Sequence, residues 1–227
     1  MGCGFNAQPS AETPDIERLM LDTARVMPQM SRLLIMGATW LHLYGDAVAR
    51  HRLARLISDE LEPQHHATMG LFLDIAQQGT HPHRFESITR ELPPAATPRA
   101  LFDVYRELPG MSDRALQRAS AISLRWGLWC EPVEWKMNAM RPARWIMQHN
   151  PSLLTRADFR GDLRASVLES LRHDADSGAS ELSLARASGG SRTQVRAALD
   201  NLEMTGRAKR LRVKGSRATK ITLPDQS

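Results

Sequence analysis

Between Leu182 and Leu223 the chain carries two helical runs separated by Ser188-Gly189-Gly190-Ser191, then two strand-like runs separated by Gly215-Ser216. Few folds are open to such a segment. Glycine tolerates the positive φ that a sharp turn needs, so the first helix ends at the glycines. Ser191 stands three residues before Gln194, the spacing of a capping box, and fixes where the next helix starts. Beyond it Val195, Ala198, Leu199 and Leu202 recur at i, i+3, i+4 and i+7, a single apolar stripe. Upstream, Asp162 is placed to cap a helix with Leu163, Val167, Leu168 and Leu171 on one face. The pattern predicts three short helices, the second starting near Ser183, and a hairpin. Residues 179–182 form an extended piece available to join that hairpin.

With the apolar stripe inward, Thr193, Arg196 and Ala197 point outward, flanked by Arg192 and Gln194. Arginine suits guanine and glutamine suits adenine, so these five are the candidate base-reading residues. Asp200 also faces outward and would confine contact with a polyanion to the first two turns. In the hairpin, Leu211 and Val213 alternate with Arg210, Arg212 and Lys214, which predicts one apolar and one basic face. Ile221 and Leu223 repeat the apolar parity on the partner strand. Lys214-Gly215-Ser216-Arg217 reads as a two-residue turn with a basic residue on each side. Ser191, Lys209, Arg210, Arg212, Lys214, Arg217 and Lys220 are the candidate contacts to a phosphate backbone.

Leu184-Ala185, Ser188-Gly189, Ser191 through Val195, Ala198-Leu199 with Leu202, Gly206 and the basic hairpin together resemble the winged helix-turn-helix superfamily of bacterial regulators. The resemblance covers about Asp162–Leu223. It implies a third helix, 191–204, in the major groove of DNA and a wing, 208–222, on the backbone. One position departs from the pattern. The residue after the turn glycine is usually an apolar plug for the core, and here it is Gly190.

Charge is distributed in the same sense. Arg160–Leu223 holds 13 Lys and Arg against 7 Asp and Glu, whereas residues 1–159 hold 17 of each. Seven basic residues and no acid lie between Met204 and Lys220. A neutral body with a basic C-terminal module points to a polyanion at that end.

The rest of the chain is read as helical, without a recognised family. Thr13-Pro14 opens a helix through Ile16, Leu19 and Met20. A second runs from Pro28 to Tyr44, and a third follows Asp46 with Arg50, His51, Arg52 and Arg55 outward. A fourth opens at Pro63. Further helices are expected over 98–108, 113–126 and, kinked or split at Pro142, 132–149. Residues 79–98, with four prolines, form a loop or internal boundary. The expected fold is mainly α: a disordered tail (1–14), an all-helical domain (15–160) and a winged helix (161–223). The clustered Trp126, Trp129, Trp135 and Trp145 are read as helix-packing anchors or an oligomer seam.

No catalytic constellation is visible, so the chain is not expected to be an enzyme or to hold a cofactor or metal. His65-His66 is an adjacent pair whose side chains diverge on a helix, and His81-Pro82-His83 has no ligand partner at spacing. Cys3 and Cys130 are too few for a disulfide framework. No run reaches membrane-spanning length and Met1–Ser10 lacks a signal-peptide pattern, so a cytoplasmic protein is expected. Met1-Gly2-Cys3 departs from an acylation signal at Asn6. The expected function is sequence-specific binding of double-stranded DNA by a homodimeric transcriptional regulator, in the sense of a repressor. The alternative is a non-catalytic subunit of a multi-protein system, such as phage defence or a toxin–antitoxin pair, whose helical body docks a partner protein.

Overall fold

The computed structural model describes residues 13–79, 82–108, 110–212 and 219–224, which are mainly helical with a small antiparallel strand pair near the C-terminus. In chain order the elements are α1 (Ile16–Val26), α2 (Ser31–Tyr44), α3 (Arg50–Glu60), α4 (His66–Ala76) and α5 (Glu86–Thr89). Then come β1 (Arg99–Ala100), α6 (Asp103–Glu107), α7 (Met111–Gln117), α8 (Ala121–Arg125), β2 (Leu128–Trp129) and α9 (Ala143–His149). The last are α10 (Pro151–Asp158), α11 (Leu163–His173), α12 (Glu181–Ser188), α13 (Arg192–Met204), β3 (Lys209–Arg212) and β4 (Thr219–Thr222). They form two compact units: the chain up to Gly45 with Glu60–Asn150, and Asp46–Asp59 with Pro151 onward.

In the first unit α1, α2 and α4 pack together. Ala67–Ala76 of α4 is buried throughout, as an all-round apolar helix must be. Its one charge, Asp74, is satisfied on several sides. Trp126 Nε1 donates to it at 2.5 Å and Gln77 Nε2 at 2.7 Å, and Arg125 Nη2 also donates. The Trp126 ring crosses α4 at Gly70, where a Cβ would lie 2.2 Å from it. Trp126 is therefore a packing anchor. Trp135 stacks on His42 and Trp145 on His149.

Several expectations for this unit give way. β1 and β2 pair in parallel, Arg99 with Leu128 and Ala100 with Trp129, so it is not all-helical. Ala100, Leu101 and Leu128 are buried, and their backbone groups need partners that an alternation pattern of two residues cannot announce. The run 98–108 contributes only α6 as a helix. Ser120 caps α8 and splits 113–126 in two. In 132–149 only α9 is α-helical, and it begins just after Pro142. Asp15, rather than Thr13, caps α1, accepting from the Arg18 amide at 3.2 Å. The expected tail, 1–14, lies outside the described residues except for Thr13 and Pro14.

The second unit is not bounded at residue 161, because it includes most of α3. Ala49 joins a core of Leu168, Leu184, Val195, Leu199, Leu202, Ala208, Ile221 and Leu223. Arg52 was expected outside, yet it is fully buried. Its guanidinium meets Asp174 side-on, Nε to Oδ2 at 3.0 Å and Nη2 to Oδ1 at 2.8 Å. Arg156 is equally buried, bonded to Glu169 at 2.5 Å and to the Ala47 carbonyl at 3.2 Å. Charge pairing makes such burial tolerable, and periodicity alone cannot foresee it.

Asp162 caps α11 as expected, accepting from the Arg164 and Ala165 amides. α11, α12 and α13 then pack on one another. Residues 179–182 supply no strand. Ser180 instead accepts from the Ser183 amide at 3.0 Å and caps α12, which starts at Glu181. Gly189 closes α12 with φ +75°, and a Cβ there would lie 2.3 Å from the His51 carbonyl oxygen. The glycine is required both by its conformation and by the approach of α3.

Candidate nucleic-acid interface

The capping box at the start of α13 is complete: Ser191 Oγ accepts from the Gln194 amide at 3.3 Å, and Gln194 Oε1 accepts from the Ser191 amide at 3.0 Å. Val195, Ala198, Leu199 and Leu202 are buried, which rotates Ser191, Arg192, Thr193, Gln194, Arg196, Ala197 and Asp200 to the exposed side. The five base-reading candidates thus occupy one surface at the N-terminal half of a 13-residue helix.

The turn that sets this helix is plugged from elsewhere. A Cβ on Gly190 would lie 2.8 Å from both Cδ atoms of Leu163 and 3.2 Å from Val195 Cγ2. Leu163, at the start of α11, fills the space an apolar residue at 190 would use.

The strand pair does not have the expected faces. Arg210 lies opposite Ile221 and Leu211 opposite Lys220, and directly opposed residues share a face. Arg210 and Arg212 therefore stand on the side of buried Ile221, while Lys209, Leu211 and Lys220 stand on the other. Ile221 and Leu223 do point inward, but their apolar partner is Ala208 rather than Leu211, which is 41% exposed.

Acids on α12 and α13 explain the reversal. Arg210 Nη1 donates to Asp200 at 2.7 Å and to Glu203 at 2.5 Å, and Nη2 donates to the Arg196 carbonyl at 3.2 Å. Its amide donates to Glu203 at 2.8 Å. Burial of the Arg210 guanidinium favours loss of its proton, but Asp200 and Glu203 outweigh this and raise its pKa above the ordinary value. Arg210 ties β3 to α13.

Glu181 gathers three arginines. Arg196 donates to its Oε2 through Nε at 3.2 Å and Nη2 at 2.8 Å. Arg192 Nε lies 3.7 Å from Oε2, and Arg210 Nε lies 3.5 Å from Oε1. The hydrogen bond from Arg196, together with the charges of Arg196, Arg210 and Arg192, holds the Glu181 carboxyl below its usual range despite partial burial. As the first residue of α12, Glu181 also faces that helix's positive end. The sequence reading missed it, since a lone acid 15 residues before Arg196 across a turn carries no periodic signal.

Lys209, Arg212 and Lys220 are exposed. Lys214 and Arg217 lie outside the described residues. Elsewhere His66 bonds the Leu61 carbonyl and His83 bonds Glu86. Cys130 is buried, with its thiol pushed up to about 12 by burial. Among the described residues no three His, Cys, Asp or Glu side chains converge on a metal position, and no helix is long and apolar enough to cross a membrane.

No protein-family model, curated protein or solved structure matches the chain.

Proposed function

We propose that the chain binds double-stranded DNA sequence-specifically through its C-terminal unit, as a winged helix, and acts as a transcriptional regulator. The carrying observation is that Arg192, Thr193, Gln194, Arg196 and Ala197 are all exposed at the capped N-terminal half of α13. That is the end of a recognition helix that enters a major groove. The β3–β4 pair adjoins it, with Lys209, Arg212 and Lys220 as the described cations available to phosphates. Arg210 is removed from that set because its guanidinium is engaged by carboxylates.

Fluorescence anisotropy of the whole chain on random duplex DNA across a salt series tests this. Binding that weakens log-linearly with salt, and that is reduced by Arg212→Ala and Lys220→Ala, supports it. The absence of binding at low salt would refute it.

The regulator is proposed to work as a homodimer, since one module reads only a few base pairs. The first unit leaves Val104, Leu108, Leu116 and Leu124 exposed, apolar surface suited to a protein contact. The same surface favours the second reading, a non-catalytic subunit docking another protein. Sedimentation separates them: a dimer at micromolar concentration supports the regulator, a monomer the subunit.

A further inference from the structure

We infer that Glu181 is a positioning residue for base recognition: it grips Arg196 along one edge of the guanidinium and presents the other edge to a guanine. The inference rests on α13 entering the major groove. Arginine has two two-donor edges, one formed by Nε with Nη2 and one by Nη1 with Nη2. Glu181 takes the first, at 3.2 and 2.8 Å. Among the described residues Nη1 has no partner, so the second edge is open. That edge matches the N7 and O6 acceptors of guanine in the major groove, the commonest arginine–base pairing.

Three features make Glu181 a positioner and not only a surface pair. Its side chain is 16% exposed and Arg196's is 54%, so the anchor is fixed and the presented group is accessible. Ser180 caps the turn it occupies, and Arg192 and Arg210 flank the same carboxylate. Arg210 in turn donates to the Arg196 carbonyl, fixing the backbone from which the side chain extends. An arginine held this way loses less rotamer freedom on meeting a base. The carboxylate also opposes phosphates that approach Arg196 without a matching base, so discrimination rises while non-specific affinity falls.

The test starts from a preferred site selected by the whole wild-type chain from a randomised duplex pool. Binding is then measured to duplexes substituted at each position, for wild type, Glu181→Gln, Arg196→Ala and the double variant. Wild type should prefer guanine at one position, and 7-deazaguanine there should weaken binding about tenfold. Arg196→Ala should abolish that preference. Glu181→Gln should lower it severalfold at that position alone, with equal or tighter binding to random duplex. In the Arg196→Ala background Glu181→Gln should change nothing further at that position. Thermal melts of each variant exclude unfolding, and slow hydrogen exchange at Arg196 Nε in the free wild type gives an independent readout of the grip.

Guanine preference unchanged in Glu181→Gln, or weakened evenly at every position, would overturn the inference while leaving DNA binding intact. Wild type binding no duplex would overturn the DNA-binding reading and the inference with it.

Discussion

Leu163 occupies the space that a side chain at Gly190 would need, with both of its Cδ atoms 2.8 Å from the position a Cβ would take. The plug of the turn before α13 comes from α11, and the two positions are steric complements. Gly190→Leu in the wild-type chain should cost about 1–3 kcal/mol of stability through overpacking. In a Leu163→Ala background the same substitution should cost far less, with a coupling of about 1 kcal/mol or more. Urea unfolding of the four variants measures it, and additive costs would show that the two sites do not share the space.

Gly189 should be less forgiving than its neighbour. Leu163 has a flexible end that can shift, but a Cβ on Gly189 would meet the His51 carbonyl, which is backbone, at 2.3 Å. Its φ of +75° adds strain for any other residue. Gly189→Ala should cost about 2–4 kcal/mol, combining left-handed strain with a clash that only movement of α3 relieves. Comparable melting temperatures for Gly189→Ala and Gly190→Ala would contradict this ranking.

These glycines mark what the sequence displays and what it conceals. The capping box, the stripe on α13, the Asp162 cap and the glycine stop were legible because each is a local relation within one turn or one helix face. The inclusion of α3 in the C-terminal unit was not, since its evidence is the pairing of Arg52 with Asp174, 122 residues away. The strand faces failed for a related reason. Alternation of Leu211 with Arg210 and Arg212 suggested an apolar side, but Asp200 and Glu203 made the arginine side the better one to turn toward α13. In the first unit Pro142 announced the break in 132–149, but Ser120 did not announce the one in 113–126, because apolar residues continue across it.

Glu169 should give the fold an acid-sensitive limb. Burial favours its neutral form, but contacts with His173, Arg156 and Arg172 prevail and hold its pKa below the usual carboxylate value. A depressed folded pKa contributes stability above the unfolded value of about 4.3 and loses it as pH falls toward the folded one. Unfolding free energy should therefore drop as pH is lowered from about 4.3, and Glu169→Gln should flatten that drop. The substitution should also cost about 3 kcal/mol at neutral pH by removing a buried carboxylate that Arg156, Arg172 and His173 share. Parallel pH profiles for the two proteins would assign the acid limb to other groups.

Arg210 and Lys220 should separate stability from binding, although both were read from sequence as phosphate contacts. Lys220 is exposed beside Leu211, with its charge facing solvent. Lys220→Ala should leave unfolding nearly unchanged and reduce the slope of log affinity against log salt by about 0.9, the loss of one phosphate contact. Arg210 is engaged by Asp200, Glu203 and the Arg196 carbonyl. Arg210→Ala should cost about 1 kcal/mol of stability by removing the hydrogen bonds that tie β3 to Glu203 and the Arg196 carbonyl. Its salt slope should match wild type, since the cation it removes neutralises carboxylates within the protein. A slope reduced by Arg210→Ala as much as by Lys220→Ala would mean that DNA draws Arg210 out of its carboxylate cage. β3 would then have to detach from α13 on binding.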